Sequence, residues 1–242
     1  MTAANQKIIE TTRSELLRGA MAGLPLIFGF LPFAIVLGAQ AVQKGLSVLE
    51  ITLMTGLSFA GGSDFASIQV WTWPPQILLI AMITFLINSR YILMSASITP
   101  YIQHLPKRTT LPMLFFLCDV VWVLSVSDSR KRQNEGKPFG FSTPYYIGSG
   151  LTFYIAWVAF TFLGASLGPL LGNLKDYGFD MAIAAVFLVM LKGIWRGWKK
   201  ARPWLVSLIV AVLTYKFIPG PWYVISGTTC GLISAYFWTE SA

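Results

Sequence analysis

Phe59-Ala60-Gly61-Gly62-Ser63-Asp64-Phe65 is the stretch whose reading decides how this chain folds. It lies inside an apolar segment covering about residues 48–71. Two adjacent glycines loosen a helix and expose backbone groups. Asp64 sits beside that loosened backbone, and a charge at the centre of a bilayer helix costs about 2.5–3.5 kcal/mol on insertion scales. Such a group is tolerated where it faces a cavity, a partner charge or a solute. Broken helices lining a site at mid-depth are common in secondary transporters. The stretch is therefore read as one wall of a solute site.

Composition sets the class around it. The chain has 242 residues, 55% hydrophobic and 12% charged, against about 25% charged in soluble domains. Mean hydropathy is +0.64. Nine Trp suit interfacial anchoring in a lipid bilayer. The net charge of +8 gathers in short loops between apolar segments, which points to topology and not to nucleic acid. Cys118 and Cys230 have no metal or disulfide spacing and are read as packing residues. No metal or cofactor is expected.

The expected architecture is all-α: a polytopic membrane helix bundle of seven or eight spans, some broken by Pro or Gly. Residues 1–17 read as a retained cytoplasmic tail with a short surface helix, and 18–242 as a single transmembrane domain. The first span, about 18–41, contains Pro25 and Pro32, which should kink or break it and so serve gating. The second, 48–71, ends on Trp71-Thr72-Trp73-Pro74-Pro75. The third, 76–98, carries Asn88-Ser89-Arg90-Tyr91 near its middle and is expected to end at Thr99-Pro100. The fourth, 110–126, has Asp119 near its centre, and a polar loop at 127–137 follows. The fifth, 144–171, is rich in glycine, with Gly148, Gly150, Gly164 and Gly168 allowing close backbone approach. The remaining spans fall at about 179–195, 204–218 and 222–238. Gly227 and Gly231 form a small-xxx-small pair in the last, and Pro219-Gly220-Pro221 makes a turn before it. Lys192 should snorkel to the interface. His104, the single histidine, reads as a bystander on a polar loop.

Loop charges orient the bundle. If every apolar segment crosses, Lys7, Arg13, Arg18, Arg130, Lys131, Arg132, Lys137, Arg196, Lys199, Lys200 and Arg202 fall on one face. That face should be cytoplasmic, with both termini inside. A re-entrant second segment would put the charge-rich loops on the wrong side. Lys107 and Arg108 are the discordant pair.

Arg90 lies too deep in its span to be a helix-end anchor. It wants a carboxylate or an anionic ligand, and Asp64 and Asp119 are the natural partners. No Ser-His pair, metal-ligand cluster or nucleotide loop supports an enzyme.

Several runs together resemble the AzlC family. These are Leu24-Pro25-Leu26-Ile27-Phe28-Gly29-Phe30-Leu31-Pro32-Phe33-Ala34-Ile35, Gly45-Leu46-Ser47 with Glu50, and Phe59-Ala60-Gly61-Gly62-Ser63. Asn88 to Ser97, Gly164 to Gly168 and Gly178 to Ala182 complete the set. The resemblance runs from about residue 19 to the last span. It implies the large subunit of a branched-chain amino-acid exporter in the bacterial cytoplasmic membrane, acting with a small AzlD-type membrane partner. The chain departs from the family pattern at Asp64, where glutamine is usual, and at Tyr91, where histidine is usual.

A zwitterionic substrate needs a cation for its carboxylate and an anion or carbonyl for its ammonium. Arg90 offers the first. Asp64, Asp119 or the carbonyls near Gly61 offer the second, and Phe59, Phe65 and Phe85 offer an apolar enclosure. The candidate substrate-binding set is Gly61, Gly62, Ser63, Asp64, Asn88, Arg90, Tyr91 and Asp119. The alternatives are a structural or channel-like membrane subunit, or a transporter of another small zwitterionic or anionic solute.

Overall fold

A computed structural model describes residues 3–136, 140–170, 197–218 and 222–239, and these contain helices and no strand. The predicted sixth span at 179–195, Lys192 and the 219–221 turn lie outside the described residues. The first helix, α1, covers Ala3–Gln43. It continues from the predicted tail without interruption at residue 17 and runs as one α-helix through Pro25 and Pro32. The expected break there is absent. Each proline removes one backbone donor, but α1 is held along its length by the long α8 (Thr143–Leu167).

Glycines set that contact. A Cβ at Gly19 or Gly38 of α1 would fall on the Tyr145 or Thr161 carbonyl. A Cβ at Gly148 or Gly164 of α8 would fall on the Leu16 or Ile35 carbonyl. Residue numbers rise together along both helices, so the two are parallel. Phe30 and Phe153 fill the seam with ring centroids 5.3 Å apart. As the glycine-rich sequence predicts, α8 is where backbones meet.

The second segment is broken, as expected. A capping box starts α2 (Val48–Ser58): Glu50 N donates to Ser47 Oγ at 3.2 Å, and Ser47 N donates to the Glu50 carboxylate at 2.6 Å. Phe59 then takes the left-handed conformation (φ 44, ψ 41), which costs a non-glycine residue roughly 1–2 kcal/mol. Its N–H donates to the Thr55 carbonyl, and its ring packs edge-on to Tyr154 at 5.4 Å. The Ala60 carbonyl accepts from Ser63 N and Asp64 N and so opens α3 (Gly61–Gln69). The break thus falls at residues 59–60, with both glycines inside α3. Gly61 is needed for space: a Cβ there would lie 2.8 Å from the Trp157 ring.

Two further interruptions were not foreseen. The third segment is interrupted only at Ser89, which keeps right-handed helical angles (φ -55, ψ -26) between α4 (Ile77–Asn88) and α5 (Arg90–Ile102), so the two run on as one 26-residue apolar stretch, and α5 passes through Pro100 instead of stopping there. The fourth segment divides into α6 (Lys107–Leu114) and α7 (Asp119–Asn134). Asp119 therefore begins a helix and does not sit at the centre of one. Most of the predicted 127–137 loop is the last part of α7. Its charged face explains why: Glu15, Arg18, Asp128, Arg132 and Ser142 form one network joining α1, α7 and the start of α8. In it Arg18 grips Asp128 with two bonds of 2.6 and 2.9 Å. Arg132 bonds both Asp128, at 2.9 Å, and Glu15, and Ser142 Oγ donates to Glu15 at 2.8 Å.

The last described helices are α9 (Trp198–Phe217) and α10 (Trp222–Thr239). Lys199, Lys200, Arg202 and Pro203 lie within the first turns of α9, so the predicted seventh span is a longer helix with a basic start. The pair is antiparallel. A Cβ at Gly227 would meet Ala211, one at Gly231 would meet Ser207, and Ser226 Oγ donates to Thr214 Oγ1 at 2.8 Å. Thr12–Gln43, Ile77–Ile102 and Thr143–Leu167 are long and apolar enough to cross a membrane. Large side chains such as Phe28, Leu57, Leu78 and Phe85 point outward from the bundle, as lipid contact requires.

Candidate functional site

Three helix starts meet around one cavity of about 160 Å³. Gly61 and Gly62 begin α3, Arg90 and Tyr91 begin α5, and Asp119 and Val120 begin α7. All six residues line the cavity. The starts of α3 and α7 carry unsatisfied N–H groups and the positive end of a macrodipole, whereas α5 runs on from α4 through Ser89 in right-handed helical geometry. Arg90 adds a full positive charge to this cluster. Its Nη1 bonds Asp119 Oδ2 at 2.9 Å, and both side chains keep about two-fifths of their surface open (41% and 38%). The pair is therefore presented to the cavity and not sealed in the core. Arg90 Nε is buried without a partner, and the guanidinium stacks near the Tyr91 ring at 5.3 Å. Arg90 Nη2 lies 3.4 Å from the position a Gly62 Cβ would take, so the glycine lets the guanidinium come up against α3.

The opposite wall is aromatic. Phe30 and Phe33 from α1, Phe59 from the break, and Phe153 and Trp157 from α8 line the same cavity. Sequence reading missed Phe30, Phe33, Phe153 and Trp157. The available signal was spacing: 30 and 33, and 153 and 157, are one-turn pairs on a single helix face. Cys118 also lines the cavity, at the cap position of α7. Of the predicted apolar enclosure only Phe59 takes part. Phe65 stacks on Phe33 with centroids 3.9 Å apart, behind the cavity wall, and Phe85 is exposed on the outer surface.

The predicted set thus divides. Gly61, Gly62, Arg90, Tyr91 and Asp119 come together. Ser63 is buried with its hydroxyl donating to the Ala60 carbonyl at 2.9 Å. Asn88 closes α4 with a buried, unpartnered Oδ1. Asp64 faces elsewhere. It lines a separate cavity of about 400 Å³, where Ser58 Oγ donates to its Oδ1 at 2.8 Å. Among the described residues no three His, Cys, Asp or Glu side chains form a metal-binding group.

Comparison with known proteins agrees with the sequence resemblance. Residues 25–171 match the family described as AzlC protein. An uncharacterized membrane protein of Archaeoglobus fulgidus is 32% identical over 72% of this chain and 73% of its own length. Inner membrane protein YgaZ of Escherichia coli is 23% identical over 92% of this chain and 91% of its own length. The branched-chain amino acid transport protein AzlC of Bacillus subtilis is 23% identical over 84% of this chain and 76% of its own length. No solved structure matches. With residues 25–171, more than half of the chain, matching the family and a relative 32% identical over 72% of the chain, this chain belongs to the AzlC family.

Proposed function

We propose that the chain is a secondary transporter exporting branched-chain or similar small amino acids across the cytoplasmic membrane. In this reading it is the large subunit of a pair with a small AzlD-type partner, and both termini are cytoplasmic. The observation that carries the proposal is the pairing of Arg90 with Asp119 at three converging helix starts, opposite an aromatic wall. An amino acid brings the same two charges the cavity already pairs. Its carboxylate takes the place of Asp119 against Arg90 and the helix N-termini, and its ammonium takes the place of Arg90 against Asp119. A branched side chain then lies on Phe30, Phe33 and Trp157. Because the ion pair is half-open, it contributes little to stability, about 0–1 kcal/mol, so opening it for a substrate is cheap. The printed name of the Bacillus subtilis relative supports the substrate class.

The test is labelled-leucine counterflow in proteoliposomes, with and without the small subunit. Arg90→Gln and Asp119→Asn should each reduce exchange by about tenfold or more, the equivalent of one lost charge-assisted contact. Unchanged exchange in both variants would remove the assignment. The starts of α3 and α7 also favour a small anion without an ammonium group as a second reading. Exchange that survives in Asp119→Asn, is lost in Arg90→Gln and is competed by isocaproate would select that reading.

A further inference from the structure

Helix α3 separates two cavities, and the transport reading uses only one. The second, of about 400 Å³, lies between α2, α3 and α4. Asp64 lines it and is only 2% exposed. Its Oδ1 takes a hydrogen bond from Ser58, while Oδ2 is buried with no hydrogen-bond partner. The Trp157 indole nitrogen comes near the carboxylate without forming a well-made bond. No lysine or arginine pairs with Asp64 among the described residues. The remaining polar lining is the Ser67 and Thr84 hydroxyls, 3.2 Å apart, the Trp71 indole N–H, and the carboxylate of Glu50, which is exposed. Glu50 and Ser58 are eight residues apart on α2, a rise of about 12 Å. The cavity therefore runs from an exposed carboxylate to a buried one.

We infer that this second cavity binds one small monovalent metal cation, of the Na⁺ class, on Asp64 with the hydroxyls of Ser58, Ser67 and Thr84 around it. A buried carboxylate with one bare oxygen has to be compensated. Hard oxygen donors suit an alkali cation. A divalent ion would call for more carboxylates than the single buried one here. Protonation of Oδ2 would leave a new donor without an acceptor and the Ser67–Thr84 pair without a role. An amino-acid ammonium fits poorly, because its carboxylate would find no cationic group on this lining. Trp71 Nε1, also buried without a partner on the cavity wall, donates to a water of the cation's shell. Because Asp64 and Gly61 belong to one nine-residue helix, filling this site fixes the helix start that forms part of the other cavity. That coupling role rests on the transport reading; the binding itself does not.

The experiment is equilibrium binding of radiosodium to the purified full-length chain in detergent, with choline chloride holding ionic strength constant and no amino acid present. Saturable binding of one Na⁺ per chain is expected. Asp64→Asn keeps the side-chain shape and should weaken it by about tenfold or more, and Ser58→Ala should weaken it less. The unfolding midpoint of each variant in choline serves as the folding control, and it should stay at the wild-type value. Absence of saturable binding, binding that persists in a folded Asp64→Asn, or a response to pH alone would overturn the inference. Leucine counterflow is read separately, so failure here and failure of the transport reading are told apart.

Discussion

At Phe59 a bulky residue holds a backbone conformation that usually belongs to glycine or asparagine. The strain persists because the ring is buried against Tyr154 and lines the cavity. It is thus a case of local strain held at the candidate site by its surroundings. Phe59→Gly would relieve the backbone but remove the ring. We expect a net loss of stability of about 1–3 kcal/mol, since truncating a buried aromatic ring outweighs the relief, together with weaker leucine binding. Thermal unfolding and ligand titration check the two effects separately. Arg90 and Asp64 make the complementary point. Both are charges at mid-sequence in apolar segments, and sequence reading placed them in one site. They line different cavities: Arg90 shares one with Gly61, Gly62 and Asp119, and Asp64 shares the other with Ser58, Ser67 and Thr84.

At the scale of elements, the α1–α8 seam is the rigid part of the fold and the broken helices are the adaptable part. Glycines at both ends of the seam bring backbone against backbone. Gly38→Ala or Gly164→Ala would push a methyl into a carbonyl that cannot swing away. Overpacking of this kind typically costs about 1–3 kcal/mol. Reduced folded yield and a lower unfolding midpoint are expected, whereas Gly29→Ala, which meets open space, should be tolerated. Monodispersity by size-exclusion chromatography is the direct readout. The α7 helix links the two regions. Asp119 at its start faces the cavity, and Asp128 and Arg132 near its end join the network with α1. Its sixteen residues span about 24 Å.

For the molecule as a whole, the parallel course of α1 and α8 constrains topology. Two parallel spans need an odd number of crossings between them. Three crossing segments meet that condition, and a re-entrant second segment alone would not. The Glu15–Arg18–Asp128–Arg132 network ties the N-terminal part of α1 to α7. Burial pushes the Asp128 carboxyl up, but the hydrogen bond from Arg18 and the charges of Arg18 and Arg132 more than offset this and hold it below the ordinary aspartate value. Its contribution to stability is therefore complete above the unfolded-state value, about pH 4, and is lost as the pH falls through the lower folded-state value. Asp128→Asn should lower stability at pH 7 by about 1–3 kcal/mol, discounted for the partly exposed Arg18. The gap from wild type should narrow as the pH falls below about 4. Unfolding midpoints measured across pH provide the check.

The sequence by itself determined the class, the family and the location of the broken second segment. Hydropathy, glycine pairs and buried charges act locally and can be read along a chain. It also called for a carboxylate beside Arg90, because a charge in lipid must find its opposite, and left Asp64 and Asp119 both open; the structure pairs Arg90 with Asp119. Only the tertiary structure decided that Pro25 and Pro32 leave α1 unbroken, that the fourth segment divides before Asp119, and that Asp64 and Arg90 line different cavities. Those outcomes depend on what packs alongside. A helix gripped along its whole length by a neighbour survives a missing hydrogen bond, while one whose freed ends can line a cavity does not need to stay continuous.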